Sequence, residues 1–241
     1  MKVFAHRGAS GDFAENTLTA IKQAIVQQAD GIEIDAQYHK SGRWWLLHDL
    51  YVDKTTQGNG RLLALDEASI QALRTRDGEP LPELYEALNA INGQCGLNIE
   101  IKISTAESHQ LTEAAQSLVE LINQTIKQSA FEWHQITISS FNHLFLQTLK
   151  ATCPKANIGA LIAHCPATLA EFGTALGASS VNLSLDCLSK SIVDDAHHRG
   201  LEAWVYTVDR PEDIEFCHRL GVDCVFSNHP KKTKDHIKSI S

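Results

Sequence analysis

Short apolar runs alternate with stretches of helical period along nearly the whole chain. The run at 2–5 ends on His6, Arg7 and Gly8 and gives way to a polar loop through Asn16. Asn16 or Thr17 then caps a helix in which Leu18, Ile21 and Ile25 form a stripe able to lie on a sheet. A second strand runs from Gly31 to Tyr38, and only the turn 40–43 separates it from Trp44. A parallel partner needs a crossover of about a dozen residues or more, so 44–48 is predicted to fold back as an antiparallel hairpin strand. Residues 49–60 are polar; a short helix over 66–74 follows, and Pro82 opens another running towards Asn92. In the next strand Leu97, Ile99 and Ile101 alternate with Asn98, Glu100 and Lys102.

From there the rhythm is regular. Helices are predicted over about 107–128, 142–151, 167–176, 190–198 and 211–221, each followed or preceded by one of the strands ITISS, NIGALIA, SVNLSL, EAWVYTV and DCVFSN. Setting the hairpin strand aside leaves eight strands that can run parallel with helices between them, the pattern of a closed (β/α)8 TIM-type barrel. The hairpin strand and a short insertion follow strand 2. A doubly wound open sheet is the other arrangement, but no GxGxxG follows the first strand. A length of 241 residues suits a single barrel domain over 1–241, with about 49–93 as a loop and helix insertion over its mouth.

Composition narrows the partners. The net charge of −8 argues against a broad basic face for nucleic acid or anionic membrane, so an anionic substrate has to be met locally. Cys95, Cys153, Cys165, Cys187, Cys217 and Cys224 form no CxxC pair and read as reduced core residues, which suggests a cytoplasmic setting. There is no apolar leader before the first strand and no run near the ~18 apolar residues of a membrane helix, so no stable membrane insertion is expected. A homodimer stays compatible with the sequence.

In such a barrel the C-terminal strand ends carry the chemistry. Glu33 and Asp35, two residues apart on one strand, face the same way. With Glu100 they make three carboxylates, and an ionised acid cluster in a core is costly unless something positive holds it. Carboxylates without a Cys or His-x-x-x-His pattern favour an oxygen-preferring divalent cation, Mg²⁺ or Ca²⁺, over zinc. Arg7 and Lys102 would complement an anion beside it, and His6 and His48 would serve as an acid and base pair. Together these residues point to metal-assisted cleavage of a phosphate ester. Singly, His6 also reads as a hydrogen-bonded core residue, His48 as a turn residue, and Glu100 with Lys102 as a same-face ion pair; seven such residues at successive strand ends favour the site. Trp44 and Trp45 read as packing residues and the other ten histidines as surface positions.

HRG at 6–8, ENT at 15–17, GIEID at 31–35, HD at 48–49 and EIK at 100–102, in this order, resemble the glycerophosphodiester phosphodiesterases. The resemblance continues in LPELYEAL, SSF at 139–141 and GVDCVFSNHP. It implies a TIM-type barrel, one divalent ion, and hydrolysis of glycerophosphodiesters to glycerol 3-phosphate and an alcohol. By position it implies Glu33, Asp35 and Glu100 as metal ligands, His6 and His48 as the acid and base, and Arg7 and Lys102 as phosphate contacts. Phe141 and Trp204 would wall the glycerol or alcohol group, and Glu15 and Asn16 would fix the surrounding loop.

The chain departs from the family pattern twice. Thr207 is followed by Val208 and Asp209 where Thr-x-Asn is common, and the last strand ends Ser227, Asn228 where Asp is usual at the second position. Both departures suggest a change in the outer pocket and its alcohol preference. Two rivals accompany this reading: a phospholipase or lysophospholipase D-type phosphodiesterase, which would want an apolar rim or basic face, and a catalytically silent phosphodiester-binding barrel.

Overall fold

Eight parallel strands close on themselves in this protein. The structure, a computed structural model, describes residues 1–240, and the side chains of all of these except 105, 106 and 108. The strands are β1 (Lys2–Ala5), β2 (Gly31–Tyr38), β3 (Trp44–Leu46), β4 (Gly96–Ile101), β5 (Ile136–Ser140), β6 (Asn157–Ile162), β7 (Ser180–Ser184), β8 (Glu202–Tyr206) and β9 (Cys224–Ser227). All but β3 pair in parallel, and β1 bonds both β2 and β9, which closes the TIM barrel the sequence predicts. β3 runs antiparallel to β2, with Ala36 opposite Leu46 and Tyr38 opposite Trp44.

The helices are α1 (Leu18–Val26), α2 (Glu67–Ala72), α3 (Leu84–Ile91), α4 (Leu111–Gln128), α5 (His143–Thr152), α6 (Glu171–Leu176), α7 (Lys190–His198), α8 (Pro211–Leu220) and α9 (Pro230–Ile240). Local chemistry starts them: the Thr17, Asn142 and Ser189 side chains accept from Ala20, Phe145 and Ile192 backbone N–H groups, and Pro211 opens α8. Their apolar stripes meet the outward face of the barrel, where Ile32, Ile34, Ile99 and Ile138 pack with Ile21, Ala24 and Leu88. Each fully buried Ile or Leu contributes about 1.5–3 kcal/mol. α4 starts at Leu111, later than the periodicity suggests, because a 3-10 segment, Thr105–Gln110, precedes it. α9 is a full helix where the sequence shows only a basic tail; its inward stripe is thin, with Thr233 buried and Ile237 partly so.

Between β3 and α3 the chain makes a small apolar cluster of its own, in which Trp45, Leu47, Val52, Leu62, Ile70, Leu73 and Leu81 pack together around α2. α3 instead packs beside α1 on the main core. Inside the barrel, Phe4, Trp204, Cys224 and Phe226 form an apolar layer. Gly31 is required here: a Cβ on it would lie 2.3 Å from the Phe4 ring. Glu33 follows two residues later on the same face, one step nearer the mouth.

Candidate active site

Register brings the acids together. Asp35 on β2 pairs directly with Glu100 on β4, and Glu33 pairs with Asn98 one step below. Carboxylate oxygens of Glu33, Asp35 and Glu100 lie within 4.8 Å of one another. All three residues are buried, Glu33 and Asp35 nearly completely.

Glu33 and Asp35 each have one oxygen held and one left over. Glu33 Oε2 accepts the Arg7 backbone N–H at 2.8 Å. Asp35 Oδ2 accepts from Asn16 Nδ2 at 2.8 Å, and the Asp35 N–H donates to Asn16 Oδ1 at 3.0 Å. Glu33 Oε1, Asp35 Oδ1 and Glu100 Oε1 are buried without a hydrogen-bond donor. Lys102 Nζ is the countercharge for two of them: it stands 3.2 Å from Asp35 Oδ1 and pairs closely with Glu100 Oε1, in ion-pair contact without hydrogen-bond geometry. Three inward oxygens with unspent lone pairs are the donor set that a hard divalent cation takes, so these residues fit one.

Arg7 and Lys102 flank the cluster. Arg7 sits in the left-handed region at φ 56°, a conformation costly for a side chain this size, and it is this turn that aims its N–H at Glu33. Gly8 continues the turn at φ 79°, where a Cβ would come within 2.6 Å of the Ala20 carbonyl carbon. The Arg7 guanidinium bonds Glu15 Oε1 at 2.9 Å and lies 3.1 Å from Asp35 Oδ2. Glu15 and Asn16 thus fix the loop beside the acids.

The two imidazoles are held differently. His6 Nδ1 is 2.8 Å from Asn228 Oδ1, at the end of β9. His48 lies just past β3, which ends at Leu46, and its Nδ1 is 2.7 Å from Asp49 Oδ1. Its backbone is clasped from both sides, since the buried Gln37 Nε2 reaches the carbonyls of Leu47 and Asp49 at 2.8 Å each. Nothing in the sequence marks Gln37, because a lone amide in an alternating strand carries no chemical signature.

Charge follows burial. Burial, with Asp35 adding, pushes the Glu100 carboxyl up to about 7, and burial likewise raises Glu33. Burial also acts to raise Asp35, but Lys102 and Arg7 outweigh it and hold that carboxyl at about 2. The same acids overcome burial at Lys102 and raise its ammonium. Burial, with Arg7 adding, lowers His6 to about 4, and burial lowers His48 as well.

A cavity of about 270 Å³ opens on this cluster and reaches His6, Arg7, His48, Lys102, Phe141 and Tyr206. Six of the seven polar residues expected at the mouth line it directly; Asp35 stands behind, joined to them through Arg7 and Lys102. Phe141 is there, half-exposed and edge-on to Tyr206 with ring centroids 6.0 Å apart. Trp204 is not. It lies in the interior layer against Phe4 and Phe226, its indole N–H donating to Glu202, and Tyr206 two residues further along the strand takes the place at the wall. The two departures at 209 and 228 also fall elsewhere than the outer pocket: they meet behind His6. His39 is buried, not a surface position, and bonds Ser41 and the Leu65 carbonyl. Among the cysteines Cys165 is exposed and Cys95 partly buried; the other four are core residues, and all six are free.

Residues 6–232, nearly the whole barrel with both histidines and all three acids, match the model of the glycerophosphoryl diester phosphodiesterase family. The chain belongs to that family. A glycerophosphodiester phosphodiesterase of Caldanaerobacter subterraneus subsp. tengcongensis is 33% identical over 95% of this chain and 94% of its own. Among solved structures, an Oleispira antarctica phosphodiesterase in complex with the product sn-glycerol-3-phosphate superposes with a TM-score of 0.89 at 26% identity, covering 99% of this chain and 97% of that one. A glycerophosphodiester phosphodiesterase from Parabacteroides distasonis shares the fold, with a TM-score of 0.86 at 23% identity over 99% and 97% of the two chains. As a member of this family the chain is an enzyme, and its polar residues gather at one mouth of the barrel. Among the described residues no helix is long and apolar enough to cross a membrane.

Proposed function

We propose that this chain hydrolyses glycerophosphodiesters to sn-glycerol 3-phosphate and an alcohol, with one divalent cation, Mg²⁺ or Ca²⁺, held by Glu33, Asp35 and Glu100. The observation that carries the reading is the trio of donorless carboxylate oxygens, two on residues lining the cavity and one just behind it, beside two imidazoles and two fixed cations. When bound, the ion supplies Lewis-acid charge to a phosphate oxygen and to the nucleophile.

The side chains do the rest. Arg7 and Lys102 bind the non-bridging oxygens and offset the charge that builds on them as the new O–P bond forms. Burial keeps His6 neutral near pH 7, which suits it to accept the proton of the attacking hydroxyl, from water directly or from the neighbouring glycerol carbon, the latter giving a cyclic phosphate that water then opens to glycerol 3-phosphate. Asp49, at 2.7 Å, offsets part of the burial that lowers His48, and this carboxylate behind Nδ1 is what suits the ring to donate to the leaving alkoxide as the other P–O bond breaks. Phe141, with Tyr206 at its edge, forms an apolar wall for the carbon skeleton. A coupled glycerol 3-phosphate assay over several glycerophosphodiesters tests the reading. Release of glycerol 3-phosphate from glycerophosphocholine or glycerophosphoethanolamine is expected, and its absence for every diester would overturn the assignment.

A further inference from the structure

Behind His6 lies a chain of hydrogen bonds whose direction is set at its far end. Asp209, in the loop after β8, is a carboxylate and can only accept. Its Oδ1 receives the Asn228 backbone N–H at 2.8 Å and the Ser227 hydroxyl at 2.8 Å, and its Oδ2 receives Asn228 Nδ2 at 2.6 Å. Ser227, having donated, is an acceptor for the Thr233 hydroxyl at 2.8 Å and the His229 N–H at 3.1 Å. With the amide nitrogen of Asn228 committed to Asp209, its Oδ1 must face the other way, 2.8 Å from His6 Nδ1. Ser10 Oγ lies 2.9 Å from that oxygen and 2.7 Å from the His6 carbonyl, so its single proton goes to one acceptor or the other. An amide oxygen cannot donate. His6 Nδ1 therefore carries the ring hydrogen, and Nε2 of the neutral ring is left bare.

We propose that Asp209 and Asn228 are positioning residues: acting in series, they lock His6 in the Nδ1–H tautomer and fix its ring orientation, so that a lone pair at Nε2 is ready to take a proton. The use of that lone pair rests on the function proposed above, but the tautomer does not. Neither residue lines the cavity, so both act through His6. In Asp209→Asn the acceptor-only end is lost. The Asn228 amide is then free to turn and present N–H to Nδ1, and the ring hydrogen moves to Nε2. Exchanging the two side chains, in Asp209→Asn with Asn228→Asp, restores the polarity, because the new amide can donate to the new carboxylate and that carboxylate can only accept from His6.

The test is ¹⁵N NMR of histidine-labelled protein above pH 8, where the ring is neutral, with His6 assigned by its loss in His6→Gln. The native protein is expected to show Nδ1 protonated and Nε2 bare. Asp209→Asn should shift His6 towards the Nε2–H form, and the exchanged pair should return it. In parallel, Asp209→Asn should lower kcat by about 10²-fold or more, as a wrong histidine tautomer does elsewhere, with KM little changed, and the exchanged pair should recover most of it. A native Nε2–H ring, a tautomer indifferent to Asp209→Asn, or an exchanged pair no better than the single variant would overturn the proposal. If the tautomer responds as stated while no glycerophosphodiester is turned over, the functional reading fails and this one stands.

Discussion

Lys102 Nζ and Asp35 Oδ1 stand 3.2 Å apart, joining the ends of two neighbouring strands through charge beside the cavity. The same ammonium also pairs with Glu100. It therefore offsets the acids that a divalent cation would engage, and in the proposed reaction it turns to the phosphate. Those two tasks pull Lys102→Met in opposite directions. Removing the ammonium leaves the acids more negative, so Mg²⁺ or Ca²⁺ should bind more tightly by calorimetry. Turnover should nevertheless fall by about 10- to 100-fold, the worth of one hydrogen bond to a charged group. A variant that loses cation affinity would mean that Lys102 organises the acids rather than competing for them.

Proton and cation should compete at Glu100. Burial, with Asp35 adding, raises this carboxyl to about 7 in the folded protein, above its ordinary value of 4.5. The folded state thus holds the proton more strongly than the unfolded one. Its contribution to the stability of the cation-free protein is complete below about 4.5 and lost as pH rises through about 7. A bound cation needs the carboxylate, so its affinity should increase from pH 6 to pH 8 and binding should release protons at the lower pH. Calorimetry in buffers of different ionisation enthalpy measures both. An affinity equal at the two pH values would mean that Glu100 holds no proton for the cation to displace in this range.

Gln37 is the residue whose loss should separate position from chemistry. Its amide holds the carbonyls on either side of His48, and it does not line the cavity. Gln37→Met keeps the volume but frees both carbonyls. It should cost about 1–3 kcal/mol in urea unfolding, and kcat should drop with KM nearly unchanged because His48 loses its fixed station. If kcat stays at the native level in a folded Gln37→Met protein, the hairpin itself holds His48 and the clasp is dispensable.

How far the sequence was legible follows from the range of each signal. The barrel is visible because its strands and helices are local patterns repeated along the chain, Arg7 and Lys102 because each lies within two residues of the end of a strand, and Glu33 and Asp35 because they stand two apart on one face of β2. The depth of a side chain inside the barrel is not local. Trp204 and Tyr206 share one face of β8, but the two-residue rise of about 7 Å between them decides which reaches the mouth, and the register against β7 and β9 sets it. His6 and Asn228 are 222 positions apart and meet only because β1 pairs with β9, so the departures at 209 and 228 looked peripheral until closure brought them behind the imidazole. The burial of His39 is hidden for a similar reason, since the Leu65 carbonyl that covers it comes from the insertion.

The most direct measurement of the whole account is glycerol 3-phosphate release from glycerophosphocholine after exhaustive chelation, followed by return of Mg²⁺ or Ca²⁺, run on the native protein beside His6→Ala and His48→Ala. The account predicts no release without the ion, recovery on adding it, and a loss of at least about 10²-fold in each folded histidine variant. Undiminished release from the chelated native protein, or full activity in either variant, would contradict it.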